Sequence, residues 1–114
     1  MVVDILSEDE IDSLFHALAD ATRRDIVIQA ATGEHSVSAL ARRYPMSITA
    51  VQKHVGVLEA AGLVRKERRG REQIVTTRRE ALTAAQGTLD DLEAMWRERL
   101  ARFGDVLAEQ SKGK

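Results

Sequence analysis

Residues 36–71 read SVSALARRYPMSITAVQKHVGVLEAAGLVRKERRGR. Ser38 to Tyr44 has the composition of a short helix, and Pro45 stops it, because proline disfavours the helical conformation in the residue before it. Ser47 then offers an N-cap for a second helix over 47–61, and Gly62 offers its stop. Leu63, Val64, Ile74 and Val75 anchor a hairpin over 63–77. Its tip is Arg69-Gly70-Arg71, with Gly70 able to take the positive φ that a tight turn needs. Helix, turn, helix and basic hairpin in this order predict a winged helix-turn-helix, a module that places one helix in a DNA groove.

The flanks fit that frame. Ser7-Glu8-Asp9-Glu10 is a capping box, with Leu6 and Ile11 placed as a hydrophobic staple. Ile11, Leu14, Phe15 and Leu18 follow at helical spacing, and this helix is expected to end near Ala19. A second helix starts from Thr22 or Asp20, carries Ile26, Val27 and Ala30 inward, and stops at Gly33. Glu34-His35-Ser36 is a connector with a residue or two of extended chain. From Arg79 to about Leu107 the pattern is helical again. Leu82, Ala85, Leu89, Leu92, Trp96, Leu100, Phe103 and Leu107 form one long near-heptad stripe. The expected class is mainly α with a small β-hairpin wing. Residues 1–107 are expected to form one DNA-binding and dimerisation domain, with 108–114 as a flexible tail.

Composition narrows the function. The 114 residues include no cysteine, which excludes a disulfide framework, a thiol nucleophile and a thiolate metal site. The N-terminus lacks a basic segment followed by a long apolar run, so it does not read as a signal peptide. No apolar run approaches the ~18 residues of a membrane span. A soluble, cytoplasmic protein is expected. The net charge of −1 conceals a polarised chain. Residues 36–79 hold ten Lys or Arg against three acids, a net of +7, and the remainder holds seven against fifteen, a net of −8. The positive part is the part that would meet phosphates.

On a wheel of ~100° per residue, Val51, Val55 and Leu58 fix the core side of the 47–61 helix. Thr49, Lys53 and Gly56 then point nearly opposite, Ala50 and Gln52 flank them, and His54 lies at the margin. Gln52 can make a bidentate contact to adenine, Lys53 can reach a guanine edge or a phosphate, and Thr49 and Ala50 can meet a thymine methyl. Gly56 removes bulk where the helix would approach the DNA backbone. Arg68, Arg69 and Arg71 surround the hairpin tip and would straddle phosphates or enter a minor groove. The blander reading is a solvated helix face and a charged hairpin edge that resists strand pairing. Arg65 and Lys66 sit at the hairpin base, where one of the two can face DNA. Arg42 and Arg43 are open to either reading.

The sequence resembles the ArsR family of bacterial winged-helix repressors over about residues 9–107. Two segments carry the resemblance. Phe15-His16-Ala17-Leu18-Ala19-Asp20-Ala21-Thr22-Arg23-Arg24 looks like the family's opening motif, and Ser47 to Val64 resembles its recognition-helix signature. The resemblance implies a homodimer that represses transcription from operator DNA. It adds Ser47 and His54 to Thr49, Ala50, Gln52 and Lys53 as DNA contacts. It also places the dimer interface on the first and last helices, here Ile11, Leu14, Phe15, Leu18, Leu89, Leu92, Trp96, Leu100 and Phe103. The metal-sensing members carry cysteines where this chain has Val37-Ser38-Ala39-Leu40, or histidines on a last helix that here has none. No metal and no cofactor are therefore expected, and an inducer would be of unknown kind. A winged helix kept as a protein-docking surface is the competing function. Enzyme chemistry finds no phosphate loop, metal cluster or nucleophile–base pair.

Overall fold

The computed structural model describes residues 6–112, so the readings of residues 1–5 and of the last two residues lie outside the described part. In chain order the elements are α1 (Glu8–Leu18), α2 (Ala21–Thr32), β1 (His35–Ser36), α3 (Val37–Ala41), α4 (Ile48–Ala60), β2 (Val64–Arg69), β3 (Glu72–Thr77) and α5 (Arg79–Lys112).

Each of the first four helices begins on a side chain that accepts from one of its first free N–H groups. Ser7 Oγ accepts from Glu10 N at 3.1 Å while Glu10 Oε1 accepts from Ser7 N at 3.0 Å, the reciprocal capping box that the sequence announces. Asp20, rather than Thr22, caps α2 by accepting from Arg23 N at 3.0 Å. Ser36 caps α3 and Ser47 caps α4 in the same way, accepting from Ala39 N and Ala50 N. α4 ends as a Schellman motif. Gly62 takes φ 80°, its N–H reaches Glu59 O at 3.0 Å, and Leu63 N reaches Leu58 O at 2.9 Å. Leu63 then turns fully into the core.

α3 is shorter than the expected 38–44 helix. It starts one residue earlier and gives way after Ala41 to single turns, Arg43 N to Leu40 O and Tyr44 N to Ala41 O. The Tyr44 side chain crosses to α2, where its hydroxyl donates to Asp25 Oδ2 at 2.6 Å. Burial, together with this bond to a carboxylate, raises the phenol's pKa well above its ordinary value.

The expected hairpin is part of a three-stranded antiparallel sheet in the order β1-β3-β2. β2 and β3 pair from Val64↔Thr77 to Arg69↔Glu72, leaving Gly70 and Arg71 as a two-residue turn with Gly70 at φ 61°. The connector contributes the third strand, His35↔Val75 and Ser36↔Ile74. Leu14, Ala17, Ile26, Val27, Ala30, Val37, Leu40, Val51, Val55, Leu58, Leu63, Val64, Val75 and Ala85 form one core. Phe15, Leu18, Ala81 and Leu82 pack at its edge.

α5 leaves this body. Its first turns lie against α1, with Ala85 buried, but every residue from Leu89 to Gln110 is exposed. The Cα radius of gyration is 20.2 Å, against the ~13 Å of a compact chain of this length, and the long dimension is 76 Å. The helix runs on through 108–112, which the sequence reading assigned to a flexible tail. Among the described residues no helix is long and apolar enough to cross a membrane.

Candidate nucleic-acid interface

α4 is held by Val51, Val55 and Leu58, each at most 1 % exposed, and this fixes which side it offers to solvent. Ser47, Thr49, Gln52 and Lys53 are exposed on that side and Ala50 is half-buried at its edge. These residues occupy the first two turns, where the free N–H groups of the helix also gather. Ile48 is 46 % exposed at the same end. Gly56 is half-buried, and a Cβ built there would meet no atom within 4 Å. Packing within the protomer therefore does not require the glycine.

His54 faces the start of α2. Its Nδ1 lies 3.4 Å from Arg23 Nη1 and 4.0 Å from Asp20 Oδ2. The same Arg23 guanidinium donates to Ala17 O at 2.7 Å and His16 O at 3.2 Å, and Arg24 donates to Leu18 O at 2.7 Å. The two arginines thus satisfy the last carbonyls of α1, and His54 joins α4 to that junction. The wheel's marginal position describes this residue better than a free reading face, because its Nδ1 edge is engaged within the protomer. The N–H of Arg23 and the nearby imidazole hold the Asp20 carboxyl below its usual range.

The wing's three arginines are not equivalent. Arg68 and Arg71 are exposed. Arg69 donates from Nη1 and Nη2 to both oxygens of Glu34, each at 2.6 Å, and from Nε to Glu67 at 2.8 Å. Of the three arginines expected to meet DNA, Arg69 carries two carboxylate partners within the protomer. Glu34 lies 35 residues away in the chain, so no local window of sequence contains the pair. Arg69 holds the Glu34 carboxyl below its ordinary pKa, and the two carboxylates keep the guanidinium protonated still more firmly. At the hairpin base Lys66 turns to Glu59 at 3.4 Å and Arg65 stays exposed. A groove between α4 and the sheet is lined by Val37, Gln52, Val55, Lys66 and Gln73. Arg42 and Arg43 are exposed ahead of α4.

The residues expected at a dimer interface divide into two groups. Leu14 is 1 % exposed in the core of its own protomer, so it has no surface left to offer a partner; this corrects its assignment. Ile11, Phe15 and Leu18 are half-buried along α1. Leu89, Leu92, Trp96, Leu100 and Phe103 are 50–62 % exposed on α5, joined by Met95, Val106 and Leu107. Among the described residues no three His, Cys, Asp or Glu side chains gather as a ligand set.

Known proteins share this architecture. Residues 18–67 match a family model described as a helix-turn-helix domain. The chain is 34 % identical over 96 residues to the HTH-type transcriptional regulator Rv2034 of Mycobacterium tuberculosis, covering 84 % of this chain and 87 % of that one. It is 36 % identical to an ArsR-like transcriptional regulator from Rhodococcus sp. RHA1, with a TM-score of 0.76 over 86 % of this chain and 92 % of that chain. A homodimeric winged helix-turn-helix DNA-binding domain from Mycobacterium bovis shares the fold at 22 % identity and a TM-score of 0.63, over 80 % of this chain and 91 % of that one. With its capped recognition helix, its antiparallel wing and these relatives, the chain belongs to the ArsR family of helix-turn-helix transcriptional regulators.

Proposed function

We propose that the protein is a homodimeric repressor that binds a palindromic operator, with α4 in the major groove and the wing on flanking backbone or minor groove. The observation that carries this reading is the exposed end of α4. Thr49, Gln52 and Lys53 are exposed on α4 and Arg68 and Arg71 on the wing, within a segment of net +7 in a chain of net −1. Gln52 supplies a donor and an acceptor for adenine, Lys53 a charge for guanine or phosphate, and Thr49, Ala50 and Ile48 apolar atoms for thymine methyls. Arg68 and Arg71 take phosphates, while Arg69 reaches one by exchanging it for Glu34. Ile11, Phe15 and Leu18 with the α5 stripe form the dimer interface, which would set two reading heads on two half-sites.

The test is selection of genomic fragments by the purified protein. An enriched inverted repeat with half-sites spaced about 10–10.5 bp or a multiple is expected. Gln52→Ala should cost about 1–3 kcal/mol at one base position. Lys53→Ala should reduce the salt slope of binding by about one if that ammonium meets a phosphate. Full operator affinity in the double variant would remove α4 from the interface. No enrichment at low salt would instead favour the winged helix as a protein-docking module.

A further inference from the structure

Arg69 is the last residue of β2, at the wing tip, yet its guanidinium is turned to the connector after α2. Nη1 and Nη2 donate to the two oxygens of Glu34, each at 2.6 Å, and Nε donates to Glu67 at 2.8 Å. Side chains alternate along a strand, so Glu67 and Arg69 share one face of the hairpin, and Arg68 shares the other with Lys66 and buried Val64. Lys66 lines the groove beside Gln52. The exposed Arg68 therefore belongs to the α4 side of the wing, and the engaged Arg69 to its far side.

Three features make Glu34 a competitor for DNA rather than a brace for the wing. The contact is solvated: the Arg69 and Glu34 side chains are 49 % and 54 % exposed, and ion pairs in that setting contribute little to stability. The hairpin does not need it, because β2 and β3 stay in register from Val64↔Thr77 to Arg69↔Glu72. Finally, Glu34 takes the parallel N–H groups with which a guanidinium grips a phosphate, and that fork holds one anion at a time. With Glu67 the cluster sets one positive charge against two negative ones, a net of −1 beside an element that would otherwise meet phosphates.

We infer that Glu34 is an internal competitor for DNA: it occupies the fork of Arg69 in the free protein, and a backbone phosphate displaces it when the wing docks. The inference rests on the DNA-binding reading above. It adds a residue outside both the recognition helix and the wing that sets the strength of binding. Glu67 lies on β2 with Arg69 and stays beside it in both states.

A double-mutant cycle on DNA binding tests the exchange. The probe is a random-sequence duplex at low salt, because a phosphate contact carries no sequence information. Glu34→Gln removes the competing charge and is expected to tighten binding about two- to fivefold, as for loss of an exposed ion pair. Glu34→Ala should reproduce the gain. The gain should shrink as salt rises, because salt weakens the internal pair that the variants lack. In an Arg69→Gln background Glu34→Gln should change nothing, since the fork that it frees is gone. A gain that persists in that background is general relief of repulsion and overturns the exchange. Weaker binding by both Glu34 variants makes the contact a brace and overturns it too, as does unchanged affinity. In each of these cases wild-type binding leaves the DNA-binding reading standing. A wild-type chain that fails to bind the duplex at low salt overturns that reading and the inference together.

Discussion

Single side chains at helix starts do much of the work of setting this fold. Ser47 Oγ accepts from Ala50 N at 3.1 Å and fixes where the recognition helix begins. Ser47→Ala is expected to cost about 1 kcal/mol of stability, read from urea unfolding. Asp20 adds a pH signature. Its folded pKa lies below the ordinary 3.8, so its contribution is fully present above that value and is lost as pH falls through the lower folded value. Asn can still cap, so Asp20→Asn should leave unfolding near neutral pH little changed and flatten the loss of stability in acid; an unaltered acid limb would show that the carboxylate contributes nothing. Gly56 separates stability from function. A Cβ there meets nothing within 4 Å, so Gly56→Ala should stabilise the helix by about 0.5–1 kcal/mol. If α4 lies close to DNA at this point, the same variant binds operator more weakly while melting higher. The caps were legible in the sequence because cap and first turn are neighbours. The engagement of Arg69 by Glu34 and of His54 by Arg23 was not, since the partners are 35 and 31 residues apart.

At the scale of elements, local signals held where they were complete in themselves. The capping box, the Gly62 stop and the Gly70 turn each specify a backbone geometry from a few adjacent residues, and each is found where it was read. α3 departed from its expected bounds because Tyr44 is drawn to Asp25 on α2, a tertiary bond that a window of seven residues does not contain. The third strand was equally hidden, since His35-Ser36 becomes a strand by pairing with β3 rather than by its own pattern. The Tyr44 bond should matter measurably, because it ties the turn before the recognition helix to α2. Tyr44→Phe removes the hydroxyl and keeps the ring. It is expected to cost about 1–2 kcal/mol, the range for a hydrogen bond to a charged group after some solvent access. A double-mutant cycle with Asp25→Asn isolates the pair, and a coupling energy near zero would show that the bond does not stabilise the turn.

At the scale of the molecule, a compact body carries a helix that its own protomer does not cover. α5 spans 34 residues, about 51 Å, and every residue from Leu89 to Gln110 is exposed. The stripe was legible as a near-heptad repeat, but its division into a packed start and a bare remainder depends on where α1 ends, which only the assembled fold shows. Most helical stability in proteins comes from packing of an apolar face rather than from propensity, and this bare helix also carries Gly104 in its interior, which weakens it further. Its helicity should therefore depend on the second copy. Phe103→Asp places a charge on a side chain 62 % exposed in the protomer, so it should leave the body's core intact. The variant is expected to sediment as a monomer and to lose helical circular dichroism from α5. Its body should keep near-wild-type unfolding, and its affinity for a two-half-site operator should fall far more than its affinity for an isolated half-site. Equal losses on both DNAs would mean that the substitution damages the reading head itself. Unchanged sedimentation would mean that the stripe is not what joins the copies.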